Sequence, residues 1–65
     1  MTDAQILARF KIEPRCEYAR NSKCWLVVWD HEAHDYVKNG EGEHRRAMRR
    51  FSNSEQILEY IKENY

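Results

Sequence analysis

Residues 15–30 read R-C-E-Y-A-R-N-S-K-C-W-L-V-V-W-D, and the way this stretch turns back on itself decides the architecture. Residues 15–20 alternate in polarity, and residues 24–30 are rich in β-branched and aromatic side chains, so both read as strands. Asn21-Ser22-Lys23 is a turn signal between them. A turn centred on Ser22 sets Cys16 opposite Val28, Tyr18 opposite Leu26 and Arg20 opposite Cys24. Side chains alternate across a strand. One sheet face then collects Cys16, Tyr18, Cys24, Leu26 and Val28. The other collects Arg15, Glu17, Ala19, Trp25, Val27 and Trp29, with Arg15 set opposite Trp29 as a cation–π partner. In this register the two cysteines are offset by ~13 Å along the strands, beyond the ~7 Å Cα separation that a disulfide spans. The expectation is two reduced thiols, with Cys16 packed on the core face.

Working outward, the loop from His31 to Asp35 leads to a short third strand at Tyr36–Lys38. By the same alternation Tyr36 joins the cysteine face and Val37 joins the tryptophans. On the N-terminal side, Thr2 and Gln5 have capping-box spacing. Ile6, Leu7 and Phe10 follow at helical spacing, and Pro14 disfavours helix at Glu13. A helix is expected over residues 2–10. On the C-terminal side, Ser52 and Glu55 form a second capping-box pattern. Ile57, Leu58, Ile61 and Tyr65 make an apolar stripe behind it, and Glu55, Glu59 and Glu63 line another face. A helix is expected over residues 53–63.

Between these elements, residues 44–51 read H-R-R-A-M-R-R-F, four arginines with no acid among them. As a strand, each face would mix arginine with apolar side chains. As a helix, Arg45, Arg46, Arg49 and Arg50 gather within about 140° while His44, Ala47, Met48 and Phe51 fill the opposite side. The helical reading is preferred, because Arg, Ala and Met are good helix formers and no β-branched residue is present. The whole is then an α+β fold, a single small domain over residues 1–65. It has a three-stranded antiparallel sheet with N-terminal and C-terminal helices, in the order α-β-β-β-α-α.

Sixty-five residues allow one domain at most, and a chain this short buries only about 60% of its unfolded surface. Eleven basic and eleven acidic residues cancel, which argues against a protein that coats nucleic acid indiscriminately. The charges are unevenly placed. Residues 1–22 carry net +1, residues 23–43 net −3, residues 44–51 net +4 and residues 52–65 net −2. The longest apolar run, C-W-L-V-V-W, is six residues against roughly 20 for a membrane span. With no basic, apolar leader at the N-terminus, a cytoplasmic location is expected.

Site chemistry is sparse. Cys16, Cys24, His31, His34 and His44 supply ligand atoms, but their spacing matches no common zinc pattern, and no metal or other cofactor is expected. The only glycines are Gly40 and Gly42, so there is no glycine-rich elbow or phosphate loop, and the chain is read as a non-enzyme. Two features remain. Trp25 and Trp29 share a sheet face that is either core under a helix or an exposed hot spot. The four arginines suit planar, bidentate contact with carboxylate or phosphate, unless Glu41, Glu43, Glu55 and Glu59 neutralise them. The run R49-R-F-S-N-S-E55, an aromatic residue just ahead of a helix cap, resembles the strand-to-helix step of small three-stranded DNA-binding domains. No residue role is taken from that resemblance.

The expected function is a small binding module, an inhibitor or adaptor of the kind phages and mobile elements encode. It would dock on an acidic surface of a larger protein or ribonucleoprotein assembly through Arg45, Arg46, Arg49 and Arg50, with Trp25 and Trp29 beside them. One alternative is direct nucleic-acid binding through the same arginines. Another is a homodimer built on the tryptophan face. No membrane partner is expected.

Overall fold

The computed structural model describes residues 1–17 and 23–65. Along the chain run α1 (Asp3–Arg9), β1 (Phe10–Cys16), β2 (Cys24–Asp30), β3 (Asp35–Tyr36) and α2 (Ser54–Asn64). The strands form one antiparallel sheet in the order β1-β2-β3. This is the expected α+β arrangement of a three-stranded sheet with a helix at each end. Among the described residues, no helix is long and apolar enough to cross a membrane.

Both helices start where their local chemistry dictates. Thr2 caps α1, its hydroxyl accepting from the Gln5 amide at 3.2 Å while the Gln5 side chain accepts from the Thr2 amide at 2.8 Å. These are two of the amide donors that an uncapped helix leaves unsatisfied. For α2 the cap is Asn53, one residue later than the Ser52 pattern suggests. Its carboxamide accepts from the Gln56 amide at 2.9 Å, and the Gln56 side chain accepts from the Ser52 amide at 3.0 Å. Ile57 and Ile61 are fully buried, and Leu58 is partly so.

The first strand differs from expectation in place and register. It starts at Phe10, directly after α1, and runs through Pro14 instead of beginning after it. Pro14 is tolerated because it faces Leu26, whose N–H and C=O both bond to Phe51, on the side away from β1. Pro14 therefore sits in a non-hydrogen-bonded pair on an edge strand, where its missing N–H would point outward. Tyr18, Ala19, Arg20 and the turn at Asn21-Ser22 lie outside the described residues.

The register pairs Phe10 with Asp30, Ile12 with Val28 and Cys16 with Cys24. This is four residues away from the register set by a turn at Ser22. The ladder continues one pair past the strands, with the Glu17 amide bonded to the Lys23 carbonyl at 2.9 Å. A shift of four leaves the described side chains of β1 and β2 on their expected faces but changes their partners. The two cysteines therefore meet, with Cα atoms 4.1 Å apart, and form a disulfide. The expectation of reduced thiols is corrected, and so is the buried position of Cys16. Both cysteines are exposed, beyond the part of the sheet that the helices cover.

The segment 44–51 is not a helix. It belongs to a hairpin that leaves the sheet at Val37 and returns to it at Phe51. Lys38 pairs with Met48, and Phe51 exchanges two 2.8 Å backbone bonds with Leu26. At the hairpin tip the Gly40 amide bonds the Arg45 carbonyl at 3.0 Å, and Gly40 and Gly42 both adopt φ 78°, a conformation glycine accepts without strain. The helical signal in this segment is local. It gives way to the burial of Phe51 and to main-chain pairing with Val37 and Leu26.

One apolar cluster holds the molecule together. Ile6, Phe10, Val28, Val37, Phe51, Ile57 and Ile61 pack between the helices and one sheet face. A bidentate ion pair closes its end. Arg9 donates from Nε and Nη2 to the two carboxylate oxygens of Asp30 at 3.0 and 3.1 Å, and Asp30 is 3% exposed. Asp30 also accepts from the Glu32 and Ala33 amides, which fixes the turn after β2. These bonds, that from Arg9 first, hold the Asp30 carboxyl below its ordinary pKa against the opposing effect of burial.

Candidate functional site

The tryptophans lie on the face opposite the helices. The sheet register puts Lys11, Trp29 and Tyr36 side by side, then Glu13 beside Val27, then Arg15 beside Trp25. Tyr36 is therefore with the tryptophans and not with the cysteines, while Val37 goes to the core, the reverse of the expected assignment. The third strand pairs Tyr36 with Trp29, which its loop length alone does not reveal.

Among the described residues no helix covers this face, and its side chains cover one another. The Tyr36 hydroxyl crosses β2 and donates to Glu13 Oε2 at 2.8 Å. Arg15 Nη2 donates to the same carboxylate oxygen at 2.9 Å and to the Tyr36 hydroxyl at 3.0 Å. Glu13 is held below its ordinary pKa, chiefly by the tyrosine hydroxyl, and Tyr36 is raised above its own by the same bond. Beneath this bridge Val27 is fully buried. Trp29 packs edge-on against Tyr36, with ring centroids 4.9 Å apart. The Arg15 guanidinium lies over Tyr36, at 5.8 Å, and not over Trp29.

The four arginines do not share one helix face. Arg45 and Arg46 are exposed in the hairpin tip. Arg49 and Arg50 follow in extended chain, where neighbours project to opposite sides. Arg49 goes to the helix side, its guanidinium 4.3 Å from the centre of the Tyr60 ring in α2. Arg50 goes to the tryptophan side, 4.0 Å over the Trp25 ring. Two shallow clefts flank them. Both are lined by Arg49 and Arg50, one together with Gln56, Glu59 and Glu63, the other together with Asn39 and His44.

Pairing separates these arginines from most other cations. Arg9, Lys11, Arg15, Lys38 and Lys62 each have a carboxylate within 4.0 Å. Among the described residues, Arg45, Arg46, Arg49 and Arg50 have none, although Glu41, Glu43, Glu55 and Glu59 are close in sequence. Lys23 is the other described cation without one. His31 and His34 are exposed in the turn after β2, His34 at φ 53°. Among the described residues, no three His, Cys, Asp or Glu side chains gather as a metal-ligand set.

Sequence reading selected Trp25, Trp29 and Arg50, which the fold does bring to one side. It missed Tyr36, Arg15 and Glu13 as the bridge that fills that face. The signal for them was the period-2 pattern of β1 read back to Phe10, hidden because Pro14 suggested a break. No family model matches the chain, and no similar curated protein or solved structure was found.

Proposed function

We propose that the chain is a non-enzymatic binding module that docks on a larger protein or nucleoprotein assembly through its arginine-bearing hairpin and the tryptophan face beside it. The absence of carboxylate partners around Arg45, Arg46, Arg49 and Arg50 carries this reading. Glu59 and Glu63 line a cleft with Arg49 and Arg50, yet among the described residues none of the four has a carboxylate within ion-pair distance, whereas charges that serve only solubility intersperse with their opposites. These four leave their guanidinium edges free, and Arg49 and Arg50 are held in place by aromatic rings beneath them. A planar cation fixed by stacking loses little conformational freedom on binding a carboxylate or phosphate.

The test is the double substitution Arg46→Glu/Arg50→Glu, with melting and capture from the native host followed side by side. Wild type is expected to retain one assembly, identified by mass spectrometry and sequencing of any nucleic acid. The variant is expected to lose it with Tm changed by no more than about 3 °C. Retention of the same assembly at unchanged Tm removes the arginines from the interface.

A further inference from the structure

We infer that the open sheet face takes a short single-stranded nucleic acid, with bases against Trp25, Trp29 and Tyr36 and phosphates against Lys11, Arg15 and Arg50. This deepens the docking role proposed above and rests on it. Three observations converge on that occupant.

The first is charge. By strand alternation the face carries Lys11, Arg15, Lys23 and Arg50 against Glu13 and Glu17, and Glu13 is shared by Arg15, Lys11 and Tyr36. The opposite surface is that of α2, where Glu55, Glu59 and Glu63 are exposed. The chain is neutral overall, so with these acids on α2 the sheet face keeps an excess of positive charge; Arg50 stands at the border, where it shares a cleft with Glu59 and Glu63, and a polyanion is steered to the sheet.

The second is the aromatic content. Trp25 and Trp29 are four residues apart on one strand, about 13 Å, and the Tyr36 side chain reaches across that strand from β3 to Glu13 on β1. Aromatic rings on an uncovered antiparallel sheet, bordered by cations, are a stacking platform for two or three bases. The Arg50 guanidinium already lies over the Trp25 ring, 4.0 Å from its centre. Its outer face offers a second plane for a base, and its N–H edge stays directed at a phosphate.

The third is what the face lacks. An acidic peptide would use the cations and leave the rings unused. It also finds no template at the β1 edge, where Pro14 has no N–H to offer an added strand. Against the sheet face itself a duplex would meet a flat surface that enters no groove, so there it would contact phosphate alone.

The experiment uses the whole disulfide-bonded chain with fluorescein-labelled eight-nucleotide probes, dT8, rU8 and rA8, an eight-base-pair DNA duplex, and poly-L-glutamate. Anisotropy and tryptophan quenching are read together. Single-stranded probes are expected to bind and quench, at least tenfold more tightly than duplex, with affinity falling on added salt at a log–log slope near −2 for about three phosphates. Trp25→Leu should weaken single-strand binding by about tenfold or more. Arg50→Gln, at an exposed residue that the fold does not need, should reduce the salt slope by about 0.7. Glu59→Gln on α2 should leave binding unchanged or slightly tighter.

The inference is overturned if no oligonucleotide quenches tryptophan, or if poly-L-glutamate or duplex binds as well as single strands. In that event, loss of host capture by Arg46→Glu/Arg50→Glu would leave the docking role standing with a protein as the occupant. Unchanged capture would remove both.

Discussion

Val27 and Val28 are neighbours on the central strand, equally buried, on opposite faces of one sheet. Val28 is covered by apolar side chains from two helices and the returning hairpin. Val27 is covered by a tyrosine, an arginine and a glutamate joined in a hydrogen-bonded bridge, with a tryptophan on each side. Equal burial has been reached by two chemistries. Apolar contact is cheap to remove from water and stabilises in proportion to area. A polar bridge contributes less per group, since its members exchange water bonds for protein bonds. The helix-covered face should therefore carry most of the folding free energy, leaving the other face free to bear charged and aromatic groups for contact.

The largest test of that asymmetry is Ile61→Ala. A buried isoleucine truncated to alanine costs ~2–5 kcal/mol, and a domain of this size has only ~3–5 kcal/mol in total. Circular dichroism at 25 °C should show a largely unfolded population. A melt within a few degrees of wild type would mean the helix face is not the principal core.

Next comes the ion pair at the end of that core. Asp30→Ala leaves Arg9 without its bidentate partner and frees the turn amides of Glu32 and Ala33, at a cost on the order of 3 kcal/mol. The pH dependence has a definite sign. Asp30 has a lower pKa folded than unfolded, so its contribution is complete above about pH 4, the unfolded range, and is lost as pH falls through the folded value. Thermal melts should be flat from pH 7 to 5 and drop below pH 4. Asp30→Asn should shrink the drop without abolishing it, because Glu13 and Asp35 are also lowered in the fold.

The disulfide joins β1 to β2 at the end of the sheet that the helices leave uncovered, and reducing it tests how far the helix face holds the fold by itself. It closes a loop with a sequence separation of eight, for which loop-closure entropy gives about 2.5 kcal/mol. Reduced protein should melt at lower temperature but stay folded, with the helix signal of α2 intact at 25 °C. Loss of all helix on reduction would make the hairpin end, and not the helix face, the mainstay of the fold.

The smallest effect is expected from Tyr36→Phe on the open face. It removes the hydroxyl that spans Val27 and keeps the ring against Trp29. The melting temperature should fall by about 5 °C or less. Glu13 should titrate nearer its ordinary value, readable by NMR. A collapse of the fold would place the polar bridge on a par with the core.

How much of this was legible in the sequence follows the range of the forces involved. The second cap reads one residue early, at Ser52 in place of Asn53, while the Thr2 cap and the stripe of Ile57 and Ile61, which depend on residues within one turn, were readable. So was the alternation that separates Trp25 and Trp29 from Leu26 and Val28, because parity survives a register shift of four. The register itself was not. It is set by how many residues the turn consumes, and Asn21-Ser22-Lys23 looks like a tight turn whatever surrounds it. The arginine segment failed for a further reason. Alternating arginine with apolar residues seemed unsuited to a strand, yet Arg49 and Arg50 each lay a guanidinium on an aromatic ring supplied by a distant element. Long charged side chains cover apolar surface while keeping their heads in water, so the pattern is compatible with a strand once Tyr60 and Trp25 are in place.

The Cys16–Cys24 bond also makes the connection between the first two strands redundant as a covalent link. Arg20 and Lys23 are tryptic sites inside that loop. A cut after either one opens the ring but does not divide the molecule. Nicked protein should run as one species with the mass of an added water and separate into an N-terminal and a C-terminal fragment only when the bond is reduced. The two halves of the hairpin become a covalent heterodimer of fragments, able to reassemble as one molecule after denaturation.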